Sequence, residues 1–220
     1  LGAVQPSIAL SGRALPTAFS VPLEREPLRA AANEALIVPA QVNYVGKGCN
    51  IYDLGYTWHG SAHVITRHLR MGWLWDQVRV QGGAYGAFTG FNRNGFMYFG
   101  SYRDPNLCET LDVFDGTADY AAHFTASERE MDKFIIGTMS GVDTPLTPMM
   151  KGDAAATCYL RGITQEDRQQ RRDEILSTRQ EDIRALAPLI AACMKENVLC
   201  VFGNDAKIAE AKDVFDSIHP

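Results

Sequence analysis

Several signatures are missing from this 220-residue chain, and each absence removes a class of function. No apolar run approaches the roughly 18 residues needed to cross a bilayer, so no membrane partner is indicated. No basic stripe is present, and the formal charge is −5, which argues against a nucleic-acid surface. The glycine-rich pieces Gly46-Lys-Gly48 and Gly82–Gly86 lack both the G-x-x-x-x-G-K-[ST] spacing and a G-x-G-x-x-G strand-to-helix context, which makes phosphate cradling improbable there. No G-x-S-x-G elbow occurs, and no cysteine sits near a histidine in an electropositive setting, so nucleophilic catalysis has no local signature. Internal repeats and low-complexity segments are also lacking.

The five cysteines, Cys49, Cys108, Cys158, Cys193 and Cys200, form an odd set with no C-x-x-C spacing and sit mostly in apolar stretches. They read as buried free thiols, which suits an intracellular, reducing compartment, with bacterial cytoplasm and organelle matrix both open. The chain opens at Leu1 without an initiator Met, a basic n-region or an apolar h-region, and is expected to be a piece of a longer protein. Composition is that of an ordinary globular domain, 46% hydrophobic and 21% charged.

Residues 1–34 carry Pro6, Pro16, Pro22 and Pro27 and no sustained period, and read as an extended arm or linker from a preceding domain. One globular domain is expected over 35–220. Residues 35–46 read as a strand that Pro39 pushes toward an edge or bulge, ended by Gly46 and Gly48. From Gly60 the period is near 3.6, with Ala62, Ile65, Leu69 and Trp73 on one face, and after Gly72 a second short amphipathic stretch runs to about Gln81. Residues 84–91 and 95–102 alternate aromatic with small or polar side chains about Asn92–Gly95, a hairpin pattern. Asp104-Pro105-Asn106 supplies a turn and a helix N-cap, and helices are expected over roughly 106–122, 127–143, 147–160, 164–177 and 179–196. Ser127-x-x-Glu130 and Thr164-x-x-Asp167 resemble capping boxes. A strand over 198–202 precedes a last helix. This order predicts an α+β fold, a mainly antiparallel sheet flanked by helices.

His59 and His63, four apart, are the obvious metal candidates if a helix carries both. In the H-x-x-E-H frame the glutamate position is Ala62, and the shifted frame from His63 offers Thr66 and Arg67 instead of Glu and His, so no base is present and no metal is expected in this chain. The charge run from Asp167 to Glu174 reads as a solvated, ion-paired helix face. The most informative stretch is 73–104, where Arg79 precedes Tyr85 across Gly82-Gly83. Two missing Cβ atoms allow another backbone to approach, and a guanidinium with a phenol can donate to one carbonyl oxygen. Arg79 could instead pair with Asp76, and Tyr85 could be an ordinary strand aromatic.

Pro39–Gly46, Trp73–Arg79 with Gly82–Gly86, Ser101–Leu107, Asp143–Pro148 and Arg172–Leu176 together resemble the C-terminal part of presequence proteases and falcilysin-like enzymes, in the pitrilysin and insulysin superfamily of zinc peptidases. The resemblance implies two halves of related fold enclosing a chamber, with zinc and a catalytic glutamate in the N-terminal half. It implies that this chain is the last domain, partnered by that half of the same polypeptide and by peptide substrates. It also implies that Arg79 and Tyr85 bind the carbonyl next to the scissile bond, that the stretch around His63 is a zinc-free counterpart of the catalytic helix, and that this piece alone is inactive. A non-catalytic scaffold subunit of the same fold is the alternative. An independent metallohydrolase built on His59 and His63 is a third, weaker reading.

Overall fold

The computed structural model describes residues 33–220. The expected arm over 1–34 lies outside the described residues except at its end, where Glu34 already opens the first strand. The strands are β1 (Glu34–Ile37), β2 (Asn43–Asn50), β3 (Gly86–Phe91), β4 (Phe96–Asp104), β5 (Leu199–Gly203) and β6 (Ser217–His219). They form one sheet in the order β3-β4-β2-β5-β1-β6. The pairs β3/β4, β4/β2 and β2/β5 are antiparallel, while β1 runs parallel to both β5 and β6. The fold is α+β with a mixed sheet in which antiparallel pairs predominate.

The single strand expected over 35–46 is two strands. Pro39 has no N–H to give to a ladder, and the chain leaves the sheet around it, so β5 inserts between β1 and β2. Gly46 and Gly48 do not end β2, which continues to Asn50. A Cβ at Gly48 would collide with the Met97 carbonyl on β4, so glycine here permits a close strand pairing. The hairpin is as patterned: Asn92 N–H donates to Phe96 O (3.0 Å) and Gly95 N–H to Asn92 O (2.9 Å).

Among the described residues there are eight α-helices: α1 (Ser61–Met71), α2 (Cys108–Ala122), α3 (Glu128–Val142), α4 (Pro148–Leu160), α5 (Gln165–Leu176), α6 (Gln180–Ala185), α7 (Ala187–Lys195) and α8 (Asp205–Glu210). Both capping boxes close, the hydroxyls of Ser127 and Thr164 accepting from the N–H of Glu130 and Asp167 while those carboxylates accept in return. The helix expected over 179–196 breaks at Leu186, because Pro188 cannot continue the hydrogen-bond ladder and instead sits in the first turn of α7. The N-cap of α2 is Leu107, without a side-chain bond. The expected capping residues build the preceding turn instead: Asp104 Oδ1 accepts from Asn106 N–H (2.9 Å), and its Oδ2 from the Thr110 hydroxyl (2.7 Å).

Alternation along the strands divides the sheet into two unlike faces. Val45, Met97, Phe99, Leu199 and Val201 are buried on the helix side, where Phe99 meets Phe114 of α2 at 5.6 Å between rings. Lys47 also points to this side and reaches Asp115 of α2 at 2.6 Å. Cys49 and Cys193 join β2 to α7 as a disulfide with 5.5 Å between Cα atoms. The expectation of five buried free thiols is therefore corrected. Non-local packing brings two of them together, Cys108, Cys158 and Cys200 are free, and Cys108 and Cys200 are exposed.

Candidate substrate-binding site

The other sheet face carries Tyr44, Phe88, Phe96, Tyr98, Tyr102 and Phe202 at alternate positions, around a trough of about 470 Å³. Its aromatics fit because glycines stand opposite them: Phe88 pairs with Gly100 and Tyr98 with Gly90, and a Cβ at either glycine would strike the facing ring. Ring contacts extend along this face, Tyr44 to Tyr102 at 5.3 Å and Tyr102 to Tyr85 at 5.8 Å. Arg79 lies where that row ends.

Arg79 sits on a π-helical segment, Trp75–Gln81, marked by the Gly82 N–H donating to Gln77 O (2.9 Å), five residues back. Trp73 fixes the entry to this segment, its indole N–H donating to the Thr117 hydroxyl (3.1 Å) while its ring stacks on Tyr120. The exit is fixed by glycine. A Cβ at Gly82 would lie 2.6 Å from the Val78 carbonyl, and Gly83 has φ +80, a left-handed conformation that costs an L side chain about 1–2 kcal/mol. The Asn106 carboxamide donates to Gly82 O (2.6 Å), which ties the glycine break to the Asp104–Asn106 turn.

This turn returns the chain so that Tyr85 stands beside Arg79. The Arg79 guanidinium lies 4.0 Å over the Trp75 ring and 5.9 Å from the Tyr85 ring, and the Arg103 guanidinium is 5.8 Å from Tyr85 on its own account. Trp75, not Asp76, is the neighbour that orients Arg79. Tyr85 is 64% exposed, so its ring and hydroxyl face solvent. A guanidinium lying over an aromatic ring keeps N–H donors that an acceptor can use. The room left at Gly82 is filled by the segment's own carbonyl, so the glycine pair shapes the turn that presents Tyr85. Trp75, Arg103 and the aromatic row were not singled out from the sequence. The alternation of aromatics with glycine in β3 and β4 was the available signal for the row.

The histidines do not form a metal site. His59 precedes α1 and is not on it, and its Nδ1 is engaged with the Ser61 hydroxyl at 2.9 Å. His63 packs edge-on to Trp58, and burial together with the nearby Arg171 charge pushes its pKa below the ordinary histidine value. A guanidinium beside it repels a second cation. Among the described residues, no three His, Cys, Asp or Glu side chains gather where they could hold a metal.

Residues 33–203 match the family described as the PreP C-terminal domain. The chain belongs to that family. It is 44% identical over 191 residues to presequence protease 1, chloroplastic/mitochondrial, of Arabidopsis thaliana, covering 86% of this chain and 17% of that protein. It is 45% identical over 186 residues to protein HypA of Clostridium perfringens, covering 84% of this chain and 19% of the relative. The chain thus spans about a fifth of the length of these relatives. Among solved structures the fold is similar to pitrilysin, with TM-score 0.57 and 13% identity over 86% of this chain and 21% of that one. It is also similar to the inactive peptidase domain of a putative zinc protease from Bordetella parapertussis, with TM-score 0.54 and 13% identity over 74% of this chain and 90% of that one.

Proposed function

We propose that this PreP C-terminal domain is the substrate-clamping part of a zinc metallopeptidase that degrades peptides in an enclosed chamber. The observation that carries the reading is the half-buried Arg79 beside the exposed Tyr85 at one end of an aromatic sheet face. An extended peptide laid against that face would rest apolar side chains on Tyr102, Tyr98 and Phe88. The guanidinium N–H and phenol O–H would donate to one carbonyl oxygen, and these bonds strengthen as negative charge develops on it. Zinc and the residue that activates water belong, on this reading, to the N-terminal half of the same polypeptide. The histidines here do not fit a metal, and the 220-residue chain alone is inactive.

The relatives named as chloroplastic or mitochondrial favour an organelle, and a bacterial cytoplasm is the alternative. Both are intracellular; the three free cysteines accord with a reducing compartment, whereas the Cys49–Cys193 disulfide speaks against one.

The test is steady-state kinetics of Arg79→Ala and Tyr85→Phe in the full-length polypeptide with a peptide substrate. Each is expected to lower kcat/KM by about 10²-fold, as loss of an oxyanion-hole donor does. Wild-type kinetics in both variants would refute the assignment. A scaffold subunit is the second reading, favoured by the neighbours described as inactive peptidase domains. An upstream H-x-x-E-H in the same polypeptide supports the peptidase, and its absence supports the scaffold.

A further inference from the structure

A second site, independent of Arg79 and Tyr85, lies among α1, α3 and α5. A pocket of about 510 Å³ is lined by His63, Thr66, Arg67 and Arg70 of α1, Thr138 of α3 and Arg171 of α5, and no carboxylate lines it. Among the described residues none of the three arginines is in an ion pair. Acids in the neighbourhood of Arg171 have other partners. Asp143 pairs with Arg172, Asp167 with Arg93, and Glu174 accepts from the Gly60 N–H (2.7 Å) and the Gln170 amide (2.8 Å).

Arg171 departs from the solvated face that its charge run suggests: it is half-buried, and its Nε is buried with no hydrogen-bond partner. That Nε has no surface for a ligand to touch, so what Arg171 can offer the pocket is its terminal guanidinium nitrogens. Burial first, then the charges of Arg168 and Arg93, lower the Arg171 pKa against partial compensation from Cys158 and Asp143, and Arg171 adds to the burial that lowers the pKa of His63. Arg67 is exposed and runs alongside α3. Its guanidinium lies so close to α3 that a Cβ at Gly137 would be 2.6 Å from Nε.

Arginines near helix C-termini also complement the carbonyls of the last turn. That accounts for Arg70 at the end of α1, but not for Arg67 beside Gly137 or for Arg171 in the middle of α5. The Thr66 and Thr138 hydroxyls donate to their own helix carbonyls, Ala62 O (2.6 Å) and Phe134 O (2.8 Å), so the donors available to a ligand are the guanidiniums and His63.

We propose that this pocket binds a small phosphate-type oxyanion, gripped chiefly by Arg67 and Arg171. Their planar forks match paired oxyanion oxygens, and the pocket has room for more than one phosphate group.

The experiment is calorimetric titration of the full chain with pyrophosphate and, separately, inorganic phosphate at constant ionic strength. Saturable one-to-one binding is expected, weakened about tenfold or more in Arg67→Gln and in Arg171→Gln, since each removes charge-assisted hydrogen bonds. Lys151→Gln, which removes an exposed cation on α4, should bind as wild type. Gly137→Ala keeps every charge but displaces the Arg67 guanidinium, and should also weaken binding, which covers the case of an arginine variant that does not fold. Tighter binding of pyrophosphate identifies a polyphosphorylated ligand, and equal binding a single phosphate group. Absence of saturable binding to either anion, or an equal loss in Lys151→Gln, would overturn the proposal.

Discussion

Replacing Asp115 by Asn should destabilise the domain through Lys47. The Lys47 side chain is 3% exposed on the helix side of β2, and its ammonium has the Asp115 carboxylate at 2.6 Å. Breaking a fully buried pair by removing one partner costs about 3–5 kcal/mol, whereas an exposed pair contributes about 0–1 kcal/mol. Asp115 is 49% exposed, so water partly replaces the lost carboxylate and the expected loss is about 2 kcal/mol. For a chain of this size that corresponds to a melting temperature lower by about 4–8 °C. Lys47→Met removes the buried charge while keeping an unbranched side chain, and should be neutral or stabilising. Urea unfolding of both variants, followed by circular dichroism, measures the difference. Asp115→Asn within about 0.5 kcal/mol of wild type, or Lys47→Met losing as much as Asp115→Asn, would rule out this role for the Lys47–Asp115 pair.

Two further outcomes follow from single groups. The Asp167 carboxyl is held down to about 2 by the Thr164 backbone N–H, the Arg93 guanidinium and the Thr164 hydroxyl. Because the folded pKa lies below the unfolded value of about 3.9, its contribution is full above that value and is lost as pH falls toward 2. Carboxyl NMR should place its midpoint near 2, and Asp167→Asn should flatten stability in that window; an ordinary carboxylate midpoint would contradict the capping geometry. Thiol titration of the denatured, unreduced chain should count three free cysteines, rising to five after reduction, and Cys193→Ser should cost about 2–4 kcal/mol. Five thiols without reduction would remove the disulfide from the account.

Local chemistry was legible in the sequence wherever a few neighbouring residues decide the outcome. Asn92–Gly95 determines a hairpin, and Ser127 and Thr164 determine helix starts, because their partners lie within three or four positions. What stayed hidden depends on residues far apart. The insertion of β5 between β1 and β2 joins positions more than 150 residues distant, and the Cys49–Cys193 link spans 144. The strand β6 lies outside every pattern read, being three residues long and held by pairing with β1. The π-helical segment escaped notice because over seven residues its apolar period is indistinguishable from an α-helix. At the candidate site, Arg79, Tyr85 and the glycines between them stood out. Trp75 and Arg103 did not, since their closeness depends on how the turn after Gly83 meets the end of β4.

In the proposed clamp, Arg79 and Tyr85 together face the carbonyl of a bound peptide. A structure of the full-length protein, inactivated and bound to a peptide, tests this most directly. The prediction is one peptide oxygen within about 3 Å of both an Arg79 guanidinium nitrogen and the Tyr85 hydroxyl, with the peptide extended over Tyr102. A peptide bound elsewhere, with both side chains solvated and untouched, would contradict it.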